Sequence, residues 1–206
     1  MAIPYPEIDP VAFSIGSLTV RWYALAYVAG FVIGWRYAMR LAERDPDQRP
    51  TALDIDNMLP WLVLGVIVGG RIGYVLFYNF AYFMEQPLAI FAVWQGGMAF
   101  HGGLAGVIIT LVLFAYRHGI SMLRLGDIIA CATPIGLFFG RIANFINGEL
   151  FGRPAPNLPW GVVFPGGGYI ARHPSQLYEA ALEGVVLFAV LYMLARRPAI
   201  RNAPGL

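Results

Sequence analysis

Five stretches of the chain are apolar over the length that a helix needs to cross a lipid bilayer. A spanning helix requires about 20 mostly apolar residues, because each residue advances the helix by about 1.5 Å. The stretches that satisfy this length are 18–39, 57–80, 98–116, 126–147 and 174–195. The pattern therefore predicts an all-α integral membrane protein with about five transmembrane helices.

Two of the intervening segments have a character of their own. Residues 81–95 are apolar and aromatic but are interrupted by Pro87, and we interpret them as an arm lying along the membrane interface. Residues 150–172 are rich in glycine and proline and include a short β-like run. We interpret them as a small extracytoplasmic head between the fourth and fifth helices. Since no sequence repeat is visible, residues 1–206 are expected to form a single membrane domain.

The basic residues, all of them arginine, predict the orientation of the chain. Nine of the 14 lie at the end of the first apolar stretch or after it, follow the fifth, or flank the connection after the third: Arg36, Arg40, Arg44, Arg49, Arg117, Arg124, Arg196, Arg197 and Arg201. Residues 1–17 and 81–95 contain none. Because basic loops stay in the cytoplasm, we expect the N-terminus outside and the C-terminus inside. Without a basic n-region, the first 17 residues are not expected to be a signal peptide.

Composition agrees with a membrane protein and excludes several other classes. Of the 206 residues, 58% are hydrophobic and 13% are charged, whereas soluble domains carry roughly 25% charge. The net charge of +2 is too small to suggest a nucleic-acid partner. Cys131 is the only cysteine, so an intrachain disulfide is impossible. The three dispersed histidines lack metal-ligand spacing, and we expect neither a metal nor a cofactor.

Small residues recur four positions apart within the apolar stretches. The pairs include Gly65 with Gly69, Gly69 with Gly73, and Gly102 with Gly106. Such spacing allows helix backbones to approach closely in lipid. We therefore predict tight helix packing at these glycines rather than phosphate-binding loops.

Each of the five predicted helices carries unexpected polar residues in the half that the orientation places outside. They are Arg21, Tyr23, Arg71, His101, Arg141, Asn144, Gln176, Glu179 and Glu183. A charged side chain at the bilayer centre costs about 2.5–3.5 kcal/mol on insertion scales, so these residues should face one another or a wet cavity. One interpretation is an Arg–Glu network that only fixes the bundle. We favour a polar cavity open to the outer leaflet, because His, Asn and Gln exceed what charge neutralisation needs.

His101 has two interpretations of equal weight. Its imidazole titrates near neutral pH, which suits a proton acceptor in a reaction. A lone histidine at the start of a helix is also often an N-terminal cap or an interface residue. The spacing alone does not choose between them.

Five motifs, in order along the chain, resemble one family closely. They are RWYALAY at 21–27, GGRIGYVLFYN at 69–79, HGGLAG at 101–106, GRIANFINGELFGR at 140–153 and HPSQLYEAALEG at 173–184. Together they resemble prolipoprotein diacylglyceryl transferase, an enzyme of the bacterial inner membrane. The fourth motif looks like the family's signature.

The resemblance implies a reaction and a set of site residues. Members of the family move a diacylglyceryl group from phosphatidylglycerol to the lipobox cysteine of a preprolipoprotein, releasing glycerol phosphate at the outer face of the membrane. The residues that match family positions are His101 as candidate base, Arg141 as phosphatidylglycerol ligand, and Tyr23, Asn144, Glu149 and Gly152 as positions needed for activity. We add Arg71, Gln176 and Glu179 to the expected substrate-binding set. Whether His101 or a carboxylate is the base that accepts the thiol proton stays open.

One departure from the family pattern supports a competing hypothesis. The family continues with another membrane helix that adds further site residues, whereas this sequence stops at RNAPGL. The chain could then be a catalytically incompetent lipid- or peptide-binding membrane protein. A transporter or flippase is a third hypothesis, but it would need polar residues through the full depth of the helices.

Overall fold

A computed structural model describes residues 3–16, 18–45 and 48–205, and most of these residues are helical. The elements are β1 (Ile3–Pro4), β2 (Val11–Ile15), β3 (Leu18–Arg21), α1 (Trp22–Ala42), α2 (Ala52–Phe77), α3 (Phe80–Glu85), α4 (Phe100–His118), α5 (Met122–Ile146), β4 (Val162–Val163), α6 (Ser175–Leu194) and α7 (Pro198–Arg201). Two 3₁₀ turns, Pro87–Phe91 and Val93–Gln95, lie between α3 and α4.

Four of the described helices, α2, α4, α5 and α6, are long and apolar enough to span a membrane. The prediction of an all-α integral membrane protein is therefore confirmed. Helix α1 has 21 residues, with Arg36 and Arg40 in its second half, and is not among the four. The fifth span and the orientation stay predictions.

The ends of two helices differ from the hydropathy pattern. Residues 18–21, expected in the first helix, instead form β3, which pairs antiparallel with β2 around a turn at Gly16, whose φ is +60°. Helix α2 begins at Ala52, five residues before the apolar stretch. Thr51 and Asp54 explain this early start, because the Thr51 hydroxyl accepts from the Asp54 N–H and the Asp54 carboxylate accepts from the Thr51 N–H, at 3.2 and 2.8 Å.

The chain divides into two compact units. One unit contains the chain up to Ala38 and the segment Ile129–Pro204, and the other contains Met39–Ile128.

The Met39–Ile128 unit is built on close packing of α2 against α4. A Cβ atom added to Gly102 would lie 2.3 Å from the Gly69 carbonyl oxygen, and one added to Gly106 would lie 2.0 Å from that of Gly65. No side chain larger than hydrogen fits at these positions. The packing predicted from the glycine spacing is confirmed for this helix pair.

The other unit joins the N-terminal segment to the region between α5 and α6. Strand β1 pairs parallel with β4, with Ile3 opposite Val162. The Tyr5 hydroxyl donates to the carbonyl oxygens of Phe145 and Ile146 at 2.8 and 2.6 Å. These carbonyls belong to the last turn of α5, where intrahelical partners are missing. The N-terminal segment therefore fixes the end of the helix that carries Arg141.

Candidate active site

Arg141 lies on α5 and faces two carboxylates of α6. Its Nε is 2.6 Å from Glu179 Oε2, and its Nη2 is 3.7 Å from Glu183 Oε2. The approach of the two helices depends on Gly184, where an added Cβ would lie only 2.7 Å from Phe138 Cβ. Since Phe138 is one turn before Arg141, this contact brings the guanidinium to the acidic face of α6.

Helix α6 changes its hydrogen-bonding pattern at this acidic face. It is α-helical over Ser175–Glu179, π-helical over Ala180–Val186 and α-helical again over Leu187–Leu194. A π segment widens the helix locally and is frequent at functional sites. Glu179 ends the first α-helical turn and Glu183 lies inside the π segment, so the two carboxylates flank the guanidinium from either side of the transition.

Three further polar side chains of the signature motif form a cluster at the end of α5. The amide nitrogens of Asn144 and Asn147 donate to Glu149 Oε1 at 3.0 and 3.3 Å. Asn144 is buried, and its backbone carbonyl oxygen accepts a hydrogen bond from the Glu149 backbone N–H at 3.0 Å. Glu149 thus takes two asparagine amides as partners, and one of its carboxylate oxygens is fixed in place.

The loop that carries Glu149 has an unusual backbone. Gly148 has φ +66° and Leu150 has φ +55°, a left-handed conformation that is costly for leucine. The start of α6 holds this loop: Gln176 Nε2 donates to the Glu149 carbonyl at 2.5 Å, and Ser175 Oγ donates to the Leu150 carbonyl at 3.0 Å. Gln176 is fully buried. Gln176 therefore contacts the chain's own backbone through its amide nitrogen, whereas its buried Oε1 has no hydrogen-bond partner in the described part of the chain.

Gly152 ends the loop against His173. A Cβ on Gly152 would lie 2.9 Å from His173 Cβ and 3.0 Å from the His173 carbonyl oxygen, which accepts the Gly152 N–H at 2.9 Å. Arg172 Nη1 donates to the Gly152 carbonyl at 3.3 Å. Only glycine allows this close approach.

Tyr23 belongs to the same unit as Arg141 and the Glu149 cluster. Its hydroxyl donates to the Tyr27 hydroxyl at 3.0 Å, and the two rings pack with centroids 4.7 Å apart. Of the predicted site residues, this unit holds Tyr23, Arg141, Asn144, Glu149, Gly152, Gln176 and Glu179.

His101 and Arg71 lie in the other unit. His101 is exposed at the second position of α4, edge-to-face with Phe100 at 5.5 Å between ring centroids. The N-cap position is Ala99, so the interpretation of His101 as the capping residue is wrong. Arg71 is buried on α2, and its guanidinium donates to backbone carbonyls between Ala89 and Gly97. Substrate binding by Arg71 was predicted from a polar cavity, but its partners here are main-chain oxygens.

The sequence did not single out three residues that hold the signature loop. Tyr5 binds the last carbonyls of α5, Ser175 binds the Leu150 carbonyl, and Arg172 binds the Gly152 carbonyl. Burial raises the pKa of the Tyr5 hydroxyl above its usual value near 10, so the group stays protonated at neutral pH, as any tyrosine does. A tyrosine in an irregular terminal segment carries no sequence signal for this role. Ser175 and Arg172 lie at and just before the start of a predicted helix, and this position was the only sign in the sequence of a contact with the loop.

Apolar membrane-length helices define an integral membrane protein, and two of these helices, α5 and α6, carry an arginine–carboxylate cluster. The chain belongs to the prolipoprotein diacylglyceryl transferase family, whose model matches residues 10–205. The resemblance drawn from the five motifs is thereby confirmed.

Several relatives are similar over almost the whole chain. The phosphatidylglycerol–prolipoprotein diacylglyceryl transferase of Rhodospirillum centenum is 58% identical over 98% of this chain and 74% of its own length. That of Azospirillum brasilense is 59% identical over 100% of this chain and 77% of its own length. That of Nitrobacter hamburgensis is 51% identical, over 100% of this chain and 72% of its own length.

Proposed function

We propose that this protein transfers a diacylglyceryl group from phosphatidylglycerol to the cysteine thiol of a preprolipoprotein lipobox, with release of glycerol phosphate. The observation that carries this proposal is the arrangement of Arg141 between Glu179 and Glu183, one turn before the Asn144–Glu149 cluster. An oriented guanidinium beside fixed amides and a carboxylate suits a phosphoglycerol headgroup. Family membership supports the same chemistry.

Arg141 is the proposed ligand of the lipid phosphate. A guanidinium has five N–H donors in a planar fork, and paired bonds to phosphate oxygens are its strongest interactions. Glu179 engages the Nε edge at 2.6 Å, whereas Glu183 at 3.7 Å is beyond direct hydrogen-bond distance. The carboxylates therefore orient the side chain and leave Nη donors for an incoming phosphate.

The Asn144–Glu149 cluster is the proposed binding site for the glycerol part of the headgroup. Glycerol hydroxyls donate to carboxylates and accept from amides, and both group types are present. Asn144 and Asn147 fix Glu149 through one carboxylate oxygen. Gly152 and Gln176 maintain the backbone that presents this cluster. Tyr23, whose hydroxyl donates to Tyr27, is a further proposed headgroup residue of the same unit.

The proposed chemical step is a displacement at the glyceryl carbon that is bonded to the phosphate oxygen. A base removes the proton of the cysteine thiol, and the thiolate sulfur forms a C–S bond as the C–O bond breaks. Glycerol phosphate leaves with the bonding electron pair. A free thiol has a pKa near 8.5, so a base is needed at neutral pH. His101 is the proposed base, and the proton that it accepts passes to the leaving phosphate or to water.

The proposed location is the bacterial inner membrane, with the site toward its outer face. The distribution of arginines supports this orientation, since the loops expected outside carry few of them. Residues 81–95 would form an arm at the membrane interface and residues 150–172 a small head on the outer side. The lipid and the signal peptide are both membrane-borne, so both would reach the site laterally.

The experiment that tests the proposal uses the full chain in bilayers containing phosphatidylglycerol, with a synthetic lipobox peptide. Mass spectrometry should detect a diacylglyceryl adduct on the peptide cysteine. The bond between the glyceryl group and the cysteine sulfur should survive neutral hydroxylamine, because a thioether, unlike a thioester, is not cleaved by it. Two controls should give no adduct: a peptide with serine in place of cysteine, and bilayers of phosphatidylcholine alone. Binding of lipid and peptide without any adduct would contradict the proposal and favour a binding protein without turnover.

A further inference from the structure

We infer that Arg71 is a positioning residue that binds the chain's own backbone, not the lipid phosphate. It holds the segment Ala89–Gly97 against α2 and thereby fixes the start of α4, where His101 lies. The catalytic consequence of this role rests on the function proposed above. The structural part stands on the contacts of Arg71 alone.

All five N–H donors of the Arg71 guanidinium have a separate carbonyl partner. Nε donates to Ile90 at 2.8 Å. Nη1 donates to Gly96 at 2.5 Å and to Gly97 at 3.1 Å, while Nη2 donates to Ala89 at 2.6 Å and to Ala92 at 3.3 Å. Because arginine has only these five donors, none is left for a phosphate oxygen.

The surroundings of Arg71 suit a fixed structural cation. The residue is 5% exposed, and its guanidinium carbon lies 5.1 Å from the centre of the Phe83 ring. Its charge is compensated by carbonyl dipoles and the face of an aromatic ring. The segment it binds consists of 3₁₀ turns and two glycines with positive φ, and the Ala89 and Ala92 carbonyls accept backbone N–H groups of these turns as well as Arg71. Beside a membrane-spanning helix, such carbonyls must be satisfied within the protein.

The bound segment runs directly into α4. Beyond Gly97, the Ala99 N–H donates to the Gly70 carbonyl at 2.9 Å. Gly97 itself packs on Tyr74, where an added Cβ would lie 2.6 Å from the ring. Contacts on both sides of Met98 therefore anchor this part of the chain to one turn of α2. His101 follows two residues after Ala99, so the position of its imidazole depends on that anchor.

The two possible roles of Arg71 predict different reactivity in the unmodified protein. We would treat the purified chain with phenylglyoxal, with and without phosphatidylglycerol, and map the modified arginines by mass spectrometry. Exposed Arg117, on the same helix as His101, is the internal control. We expect Arg71 to resist modification in both conditions while Arg117 reacts. Modification of Arg71 that phosphatidylglycerol prevents would overturn the inference, because it would show free donors that the lipid covers.

Variants test the positioning role separately. Arg71→Lys keeps the charge but offers three donors in place of five, so it should not rescue the function that Arg71→Gln loses. In both variants, the backbone amides of residues 89–99 should exchange hydrogen faster than in the unmodified chain, whereas those of residues 104–116 should not. kcat should fall about tenfold or more, with the KM for phosphatidylglycerol nearly unchanged. Arg117→Lys should match the unmodified chain.

Two results of the variant experiment would contradict the inference. One is a full rescue by Arg71→Lys, combined with a KM increase of about tenfold in Arg71→Gln and unchanged exchange in 89–99, since this is the behaviour of a phosphate ligand. The other is equally faster exchange throughout α2 and α4, which would indicate general unfolding. If the unmodified chain forms no adduct, the function proposed above fails, while phenylglyoxal labelling and exchange still decide the role of Arg71.

Discussion

Arg141 and Arg71 both sit on apolar helices, yet their guanidinium groups have different partners. Arg141 contacts two carboxylates and is only partly buried, so it can exchange a partner for a substrate anion. Arg71 is buried, and all five of its N–H donors form hydrogen bonds to main-chain carbonyls. Two arginines that look equivalent in the sequence are thus expected to act as a ligand and as a structural support, respectively.

Replacement of Arg141 should abolish most of the transfer activity. Arg141→Ala removes the phosphate-binding fork, and we expect kcat/KM to fall about 10²- to 10³-fold, as for the loss of one strong anion donor. Arg141→Lys should retain part of the activity, because it keeps the charge without the paired geometry. The measurement is the rate of adduct formation at several phosphatidylglycerol concentrations.

A matched control separates the loss of a ligand from the loss of positive charge. Arg197, exposed beyond the end of α6, should tolerate alanine with unchanged rates. Arg141→Ala protein that inserts normally and retains the full rate would remove Arg141 from the mechanism.

Gly152 should be equally sensitive to substitution, for a steric reason. In Gly152→Ala, the new Cβ would meet His173 at 2.9–3.0 Å and push apart the loop that carries Glu149. A displacement of about 1 Å at a reacting group can cost about 10²-fold in rate. Gly126→Ala is the control, because a Cβ there meets nothing within 4 Å. Equal rates for the two variants would contradict the steric explanation.

At the scale of elements, glycine-lined contact holds α2 against α4. Without water to drive helices together in lipid, close van der Waals packing supplies much of their association. The backbone of α4 at Gly102 and Gly106 lies directly on that of α2 at Gly69 and Gly65. A substitution here should therefore separate the two helices.

Adjacent glycines of α4 provide a paired test of this contact. Gly102→Ala should destabilise the protein by about 1–3 kcal/mol, the usual cost of overpacking. Gly103→Ala should be neutral or stabilising by up to about 1 kcal/mol, since its nearest neighbours are 3.8 Å or more from the added Cβ. Thermal unfolding in detergent would measure both. A similar melting temperature for the two variants would contradict the packing described here.

The elements also show which parts of the fold follow from local sequence. The membrane-length helices were predictable because apolar length alone specifies them. The strand at 18–21 could not be predicted in this way, because its residues continue the apolar pattern of the following helix. Its strand conformation depends on pairing with β2. The early start of α2 follows from the Thr51–Asp54 capping pair, which an apolar count overlooks.

At the scale of the whole molecule, the grouping of the signature-motif residues could be predicted from the sequence, whereas the contacts of several predicted site residues could not. The signature motif identified Arg141, Asn144 and Glu149 as residues of one site, and the structure joins Asn144 to Glu149 directly. The partners of Arg71 and Gln176 are backbone carbonyls of distant segments. Such partners depend on tertiary folding, and no residue type in the sequence marks them.

A mass balance of the reaction would test the central claim most directly. In one reaction with the full chain, we would quantify the phosphatidylglycerol consumed, the peptide adduct formed and the glycerol phosphate released. The account predicts equal molar amounts of all three, because one C–O bond breaks for each C–S bond formed. Release of free glycerol or fatty acid instead, or consumption of lipid without an adduct, would contradict it.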